Sequence, residues 1–572
     1  MKLNGARILC ESLVKEGVEV IFGFPGGSVL PLYDVLPRYP QLRHILVRHE
    51  QGAAHAADAY ARVTGKVGVC LATSGPGACN LVTGIANAHL DSSPVVAITG
   101  QVARPFIGKD AFQEIDITGI TVPITKHNYL VLKADEIAMV VKEAFHIAGT
   151  GRPGPVLLDI PRDVFIEEAT FEYPEKVELH GYKPTLRGHA VQIKKAAKLI
   201  AESKRPVILA GRGVIISGAY EELRGLAEKA QIPVITTLLG ISSFPEDHEL
   251  SLGMMGMHGT AYANLAVDGS DLIISIGMRF DDRATGRVSG FAPHAQVIHI
   301  DVDPAEIGKN VRVTVPIVGD VKNILRTLNK QLEAQKHLAW IGQVEEWRRA
   351  HPLHIDHDAD KIQPQYVVSK ICEVTQGNAI ITTGVGQNQM WAAQHFCYRK
   401  PNSFVSSGGL GTMGFELPAA IGAKVGRPDE TVWAIAGDGG FQMTIQELGT
   451  AVQDNVAVKI AILNNGYLGM VRQWQDLFYE RRYVATPLSS PDFVKVAEAY
   501  GMPGIRVTDK SKVVSAIKKA MKHKGPFLID FVVEPEENVY PMVAPGCTLA
   551  EILDDPRKKV EFKLKPRATS NL

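Results

Sequence analysis

A-G-D-G-G-F-Q-M at residues 436–443 and I-L-N-N at residues 462–465 bracket the stretch that decides the fold. Gly437, Asp438 and Gly439 form a tight turn straight after the apolar run 432–436, and Asn464 and Asn465 close a second apolar run, 458–463. Between them, Ile445, Leu448, Gly449 and Val452 keep the i, i+3, i+4, i+7 spacing of a helix packed on one face. The unit reads strand, Gly turn, helix, strand. A right-handed parallel crossover brings both turns to the carboxyl edge of a sheet, where ligands bind. One carboxylate and one amide oxygen then stand side by side among flexible glycines. A hard cation such as Mg2+ wants oxygen ligands and takes only one or two from protein while phosphates supply others. A lone G-D-G is a common turn and an Asn pair a common loop start. Both on one crossover point to a metal-held diphosphate.

The whole chain sets the frame. Its 572 residues predict two to four domains. Lys+Arg and Asp+Glu are both 61, a formal net charge of zero, so neither nucleic acid nor an anionic membrane is expected as a partner. The six cysteines are scattered without metal-ligand spacing, as expected of reduced thiols in a cytoplasmic protein. No apolar stretch is long enough to span a bilayer. The N-terminus, M-K-L-N-G-A-R-I-L-C-E-S-L, reads as an amphipathic helix and lacks the apolar core of a signal peptide.

The cassette has a fainter counterpart. Residues 67–72, the turn T-S-G-P-G, a helix through Leu81, Ile85 and Ala88, and residues 94–99 repeat the layout. Ser74 and Pro76 stand in that turn with no metal-binding carboxylate, so the copy has a different job. Between the copies, Ile193, Ala196, Ala197 and Ile200 open a helix, and strands are expected at 206–210, 233–236, 272–276 and 297–300. Segments 171–188 and 348–364 read as linkers, and the last residues, 558–572, as a solvated tail. The expectation is α/β: three doubly wound parallel-sheet domains over 1–170, 188–340 and 365–550.

G-D-G followed by N-N resembles the thiamine diphosphate motif. That cofactor needs a metal for its diphosphate, an apolar wedge under its bend, a buried acid beside its pyrimidine and a dry pocket. Asp438, Asn465 and the main-chain carbonyl of Tyr467 would hold Mg2+, and a helix starting after Gly440 would offer its amino end to the phosphates. In S-S-G-G-L-G-T-M-G-F, 406–415, Met413 is the bulky flexible side chain suited to the wedge, although alone the segment is a plain Gly-rich loop. Glu50 lies between the apolar I-L-V and an Ala-rich helix. Burial there would raise its pKa and let it share a proton with a ring nitrogen; the plain alternative is a helix cap or an ion pair with Arg48.

Taken together, R-H-E-Q, A-T-S-G-P-G, D-A-F-Q-E, R-F-D-D-R, G-G-L-G-T-M-G and G-D-G…L-N-N…G-M-V-R-Q-W resemble the catalytic subunit of the acetohydroxyacid (acetolactate) synthase family, from about residue 4 to about residue 545. The resemblance implies that Glu50 is the pyrimidine acid, that Gln113 lies near the reacting carbon, and that Phe112 and Lys126 flank the substrate channel. It implies that Gln387, Asn388, Gly411, Met413, Gly437 and Gly439 contact thiamine diphosphate. Arg283 of R-F-D-D-R would grip the carboxylate of the second 2-oxo acid, whose planar fork suits a guanidinium; from the residues alone, an ion pair with Asp281 or Asp282 reads equally well. Met470 and Trp474 would shape the pocket for that substrate's alkyl chain, where spacing alone would place them in the core. FAD is implied in the middle domain, at Arg152, His258, Gly277, Arg279, Asp301 and Gly409. The residues support it only through A-G-R-G at 210–213 and a strand ending in Asp301.

The implied reaction decarboxylates pyruvate and adds the two-carbon unit to pyruvate or 2-oxobutanoate, the alternative being a flavin-dependent pyruvate oxidase of the same superfamily. A homodimer or dimer of dimers is implied, with a small regulatory subunit as a further partner. Five positions depart from the family pattern: Gly440 for Ser, Glu416 for Gly, Asn388 for His, Arg162 for Lys and Ala103 for Pro. None removes a catalytic group; Asn388 and Gly440 bear on cofactor affinity, Arg162 and Ala103 on the channel mouth.

Overall fold

Val432–Gly437 and Lys459–Asn464 pair in parallel with Gly437 opposite Leu463, so Asp438 leaves the sheet beside Asn464 and Asn465. The crossover predicted from the sequence is therefore present in the computed structural model, which describes residues 1–357 and 359–556. The tail assigned to 558–572 lies outside the described residues.

Three six-stranded parallel sheets organise the chain. The first runs, edge to edge, Arg43–Leu46, Val20–Gly23, Gly68–Ala72, Val95–Gln101, Val156–Pro161, His127–Leu130. The last runs Phe404–Ser406, Ile380–Thr383, Val432–Gly437, Lys459–Asn464, Phe527–Val532, Gly504–Val507. Numbered by chain order within each sheet, both follow 2-1-3-4-6-5, so the internal repeat extends to the whole topology. The middle sheet runs Ser251–Met254, Val234–Thr236, Pro206–Ala210, Leu272–Ile276, Gln296–Asp301, Val315–Val318, the 3-2-1-4-5-6 order of dinucleotide-binding sheets. Strands are apolar on both sides because both faces are covered. Val69 and Leu71 enter one core layer while Cys70 and Ala72 enter the other. Trp433 and Ile435 divide from Ala434 and Ala436 in the same way.

Several local expectations are corrected. The helical pattern at 445–452 is not one helix: Asp438–Met443, a 3-10 turn Ile445–Glu447 and Leu448–Gln453 follow one another. The first of these begins at Asp438 itself rather than after Gly440. The chain opens with a strand, Lys2–Asn4, paired antiparallel to Glu168–Thr170, and only then enters the helix Gly5–Lys15. Residues 348–350 of the expected second linker end the helix Leu338–Ala350, which packs on the middle core through Trp340 and Val344. Val543 and Leu549 join that same core from the far end of the chain.

The outer domains dock through two helices built from small residues. Glu50–Thr64 lies against Glu416–Gly426, and a Cβ added to Gly422 would collide with the main-chain carbonyl of Ala56. Behind this seam Arg62, fully enclosed, pairs with Asp58 at 2.6 Å and Asp91 at 2.9 Å and donates to the Ser406 carbonyl at 2.7 Å. Backbone cannot yield as a flexible side chain can, so Gly422→Ala should cost roughly 1–3 kcal/mol or more. Gly342→Ala, in a helix with nothing within 4 Å of the new methyl, should hold or raise stability. Thermal midpoints of the two variants check the contrast; equal midpoints would sink it.

Candidate functional site

Asp438 is the first residue of its helix and only 1% exposed. Burial pushes its carboxyl up to about 6, against the Ser490 hydroxyl (3.0 Å) and the Asn465 N–H, which bond to it. An acid held this dry, with the Asn465 amide next to it just past the adjoining strand, is a donor set fitted to a hard cation that would keep it ionised. Asn465 Oδ1 accepts the Tyr467 N–H at 3.1 Å, so Asn465 and Tyr467 share one loop, next to the turn that carries Asp438. Gln387 and Asn388 start the helix Gln387–His395 beside them. Asn465 Nδ2 donates to Gln387 Oε1 at 3.1 Å, and Asn388 Nδ2 donates to the Ile435 carbonyl at 2.9 Å with its oxygen turned towards Gly437. Met413 Cε reaches to 3.8 Å from where a Cβ on Gly439 would sit, and Gly411 adopts φ +78° in the same loop. These bare glycine turns and the amino end of a helix suit a diphosphate.

A cavity of about 1060 Å3 adjoins this crevice. Gly469, packed against Gln387 and Asn465, leads directly into Met470 on its wall. The cavity brings together Arg152, His258, Gly277, Arg279, Asp301 and Gly409 with Arg283, Met470, Trp474 and Gly411. Met470 and Trp474 are thus wall residues, with Trp474 edge-on to Phe478 at 5.7 Å. Arg283 bridges Asp282 at 2.9 Å, but both side chains are more than 60% exposed at the mouth, where such a pair contributes little. The middle-domain wall fits a dinucleotide. Gly277, at φ +61°, abuts Gly213 so closely that a side chain on either would collide. Arg212 Nε and His258 Nδ1 are buried without a partner on that wall. Burial lowers His258 to about 4 and raises Asp301 to about 6. Arg152 crosses from the first domain to Glu306 (2.7 Å) and Asp303 (3.1 Å).

Glu50 lies on a different edge. It is the first residue of its helix, 7% exposed, and its carboxylate accepts from Asn80 Nδ2 at 2.9 Å within its own domain. The helix is capped by His49, and Arg48 turns away to Leu46, Gly449 and Gln453, so neither plain alternative for Glu50 holds. Gln113, at φ +62°, packs on Gly75 of the T-S-G-P-G turn whose Gly77 faces Glu50. Phe112 beside it is 89% exposed. Lys126 lies at the carboxyl end of the helix Ile137–Gly149, its half-buried ammonium bonding Thr150 O and Tyr182 Oη at 2.8 Å, with burial lowering it to about 8. It caps a helix and does not line the cavity.

Two contributors escaped the sequence reading. Asp91 accepts the N–H groups of Gly408 (3.1 Å) and Gly409 (2.6 Å) and so shapes the Gly-rich loop. Phe280, the aromatic of R-F-D-D-R, stands at φ +53° and lines the cavity with its motif neighbours. Asp91 carries no local signal, because it acts on a segment distant in sequence, whereas Phe280 lies inside a quoted motif and only the backbone sets it apart.

The chain matches three family descriptions: Thiamine pyrophosphate enzyme, N-terminal TPP binding domain (residues 3–120), central domain (193–328) and C-terminal TPP binding domain (384–531). The Mycobacterium tuberculosis acetolactate synthase large subunit is 53% identical over 565 residues, covering 96% of this chain and 91% of that protein. A probable acetolactate synthase large subunit of Methanocaldococcus jannaschii is 53% identical over 576 residues, covering 98% and 97%. The acetolactate synthase of Arthrospira platensis is 52% identical over 566 residues, covering 95% and 96%. The chain belongs to the acetolactate synthase family of thiamine pyrophosphate enzymes.

Within this family member, two of the departures from the usual pattern touch. Glu416 is fully buried, and no side chain bonds its carboxyl oxygens. A Cβ on Gly440 would stand 2.7 Å from its Oε1. Gly440→Ser alone should therefore weaken both folding and thiamine pyrophosphate binding, and Glu416→Gly added to it should restore them. A double-mutant cycle should show about 1 kcal/mol or more of coupling; additive effects would refute the pairing. Burial also raises Glu416 to about 7. An acid whose folded pKa exceeds its unfolded one stabilises fully below the unfolded value and loses that contribution as pH rises through the folded one. Glu416→Gln should accordingly flatten the fall in thermal midpoint between about pH 5 and pH 8; an unchanged slope contradicts it.

Proposed function

We propose that the chain is an acetolactate synthase catalytic subunit that decarboxylates pyruvate and transfers the acetaldehyde unit to pyruvate or 2-oxobutanoate. The products, 2-acetolactate and 2-aceto-2-hydroxybutanoate, lead to valine, leucine and isoleucine. The observation that carries this reading is the common wall formed by Arg283, Met470 and Trp474 next to the Asp438–Asn465 crevice. That juxtaposition supports a carboxylate grip and an apolar pocket for a second 2-oxo acid beside a diphosphate-anchored cofactor.

Thiamine diphosphate, when bound, supplies the electron sink for decarboxylation and carbon–carbon bond formation. The protein's own groups bind, orient and exclude water. Asp438, Asn465 and the Tyr467 carbonyl hold Mg2+; Gln387, Asn388, Gly437 and Gly439 receive the diphosphate; Met413 is the wedge. Glu50 would meet the pyrimidine ring nitrogen with its carboxyl, with Gln113 towards the reacting carbon. Arg283 orients the acceptor carboxylate, and Met470 and Trp474 select its alkyl chain. Arg152, His258, Gly277, Arg279, Asp301 and Gly409 would hold FAD as a structural group, since carboligation needs no redox step.

The Glu50 carboxylate takes its hydrogen bond from its own domain, and Phe112 stands exposed on the same edge. A second copy of the chain completes the site, so the minimal active form is a homodimer, open to a dimer of dimers and to a small regulatory subunit. No helix among the described residues is long and apolar enough to cross a membrane; the proposed place of work, the cytoplasm, rests on the scattered cysteines.

Incubation with pyruvate, Mg2+ and thiamine diphosphate should give acetolactate, detected as acetoin after acid treatment. Glu50→Gln should lower turnover about 10²–10⁴-fold. Acetate with pyruvate-dependent bleaching of the flavin would instead identify a pyruvate oxidase, and full turnover in Glu50→Gln would remove Glu50 from its role.

A further inference from the structure

Three buried amides run without a break from the metal loop to the helix that carries Met470 and Trp474. Asn465, Gln387 and Gln473 are 7%, 3% and 0% exposed. Asn465 Nδ2 donates to Gln387 Oε1 at 3.1 Å. Gln387 Nε2 donates to Gln473 Oε1 at 2.9 Å and to the Glu537 carbonyl at 2.9 Å. Gln473 Nε2 donates to the Val539 carbonyl at 3.0 Å, and Gln473 Oε1 accepts the Val539 N–H at 2.8 Å.

A carboxamide has a donating end and an accepting end. The peptide groups of Val539 tell those ends apart, so Gln473 has one orientation. Its oxygen then faces Gln387, which must answer with its NH2 and is left with its oxygen towards Asn465. Asn465 must answer in turn with its NH2, which aims Oδ1 away from Gln387. That oxygen accepts the Tyr467 N–H and keeps a lone pair for a cation. Reversing any member would set oxygen against oxygen or leave a buried polar group unpaired, which is costly in a dry interior. The helix carrying Gln473 is held as well by Arg472, whose Nη2 donates to the Glu537 carbonyl at 2.9 Å and to Asn538 Oδ1 at 2.6 Å.

We infer that Gln473 is a positioning residue for the metal: through Gln387 it fixes which end of Asn465 faces the cation. It thereby ties the Mg2+ site to the acceptor helix. The inference rests on the reading of Asp438 and Asn465 as ligands.

The test titrates Mg2+ into metal-free dimer with thiamine diphosphate present, reading cofactor binding by calorimetry. Gln473→Met keeps the length and loses the polarity, and should raise the Mg2+ half-saturation about tenfold or more, as for other groups that orient a ligand. Gln473→Glu should shift it less than about threefold, because a protonated carboxyl accepts from Gln387 and donates to Val539. Should Gln473→Met not fold, Gln473→Asn, which withdraws the amide by one methylene, carries the same expectation. An unchanged half-saturation in the Met or Asn variant, or equal shifts in Met and Glu, overturns the relay. Asp438→Asn separates the two readings: if it leaves the Mg2+ requirement intact, the ligand assignment itself falls.

Discussion

One buried carboxylate joins the two outer domains at the point that matters most. Glu447, fully buried at the end of a 3-10 turn in the last domain, accepts the N–H groups of Arg48 at 3.1 Å and His49 at 3.0 Å. Thr450 adds its hydroxyl at 2.7 Å, and burial still pushes the acid up to about 7. The next residue along the first-domain chain is Glu50. Its backbone is thus fixed by the domain that carries Asp438, although its carboxyl looks to its own edge. Gly52 has no side chain because one would stand 2.6 Å from Glu447. The helix seam between Ala56 and Gly422 then follows: with the two chain segments clamped, small residues are what let the helices approach.

The shared strand order of the outer sheets explains how one architecture supports two halves of a site. Both present their turns at the carboxyl edge after the third strand in the 2-1-3-4-6-5 arrangement. In one copy that turn holds Asp438, dry and oxygen-rich. In the other it is T-S-G-P-G, whose Gly75 and Gly77 leave room for Gln113 and Glu50. The fold is common and the chemistry is set by the few residues in the turns. The middle sheet, with its own strand order, contributes the wall of the cavity where its strand order reverses, between Pro206–Ala210 and Leu272–Ile276.

What the sequence discloses follows what is local. Parallel strands covered on both faces are short apolar runs, so 206–210 and 272–276 are legible to the residue. The three parallel α/β domains follow from their alternation with helices. A helix broken at Thr444, which turns its hydroxyl to the Gly414 carbonyl at 2.8 Å, is not legible, because the partner lies thirty residues away. The opening strand Lys2–Asn4 depends on pairing with Glu168–Thr170. Lys126 shows the same limit in the site: only the fold reveals that a helix end lies within its reach. The reading of Met470 and Trp474 by helical spacing alone favours core, and their place on the wall is decided by the cavity beyond them.

The departures at Glu416 and Gly440 show how a charged side chain enters such a site without emptying it. A carboxylate near a diphosphate would repel it, and one buried without a partner is expensive. Both costs fall away when the acid is neutral, which its burial favours. The space it fills lies against Gly384 and Gly440, so the glycines are part of the same change. The relay from Gln473 to Asn465 solves the opposite problem. On the proposed reading it would hold a metal ligand rigidly without adding charge beside a cofactor that brings several negative oxygens. Amides can do so because they carry direction without net charge. On the proposed reading, the amides next to the metal loop do their positioning without charge, while the ionised positioning groups, Arg472 and Asp91, act one step further out on the helix and the Gly-rich loop.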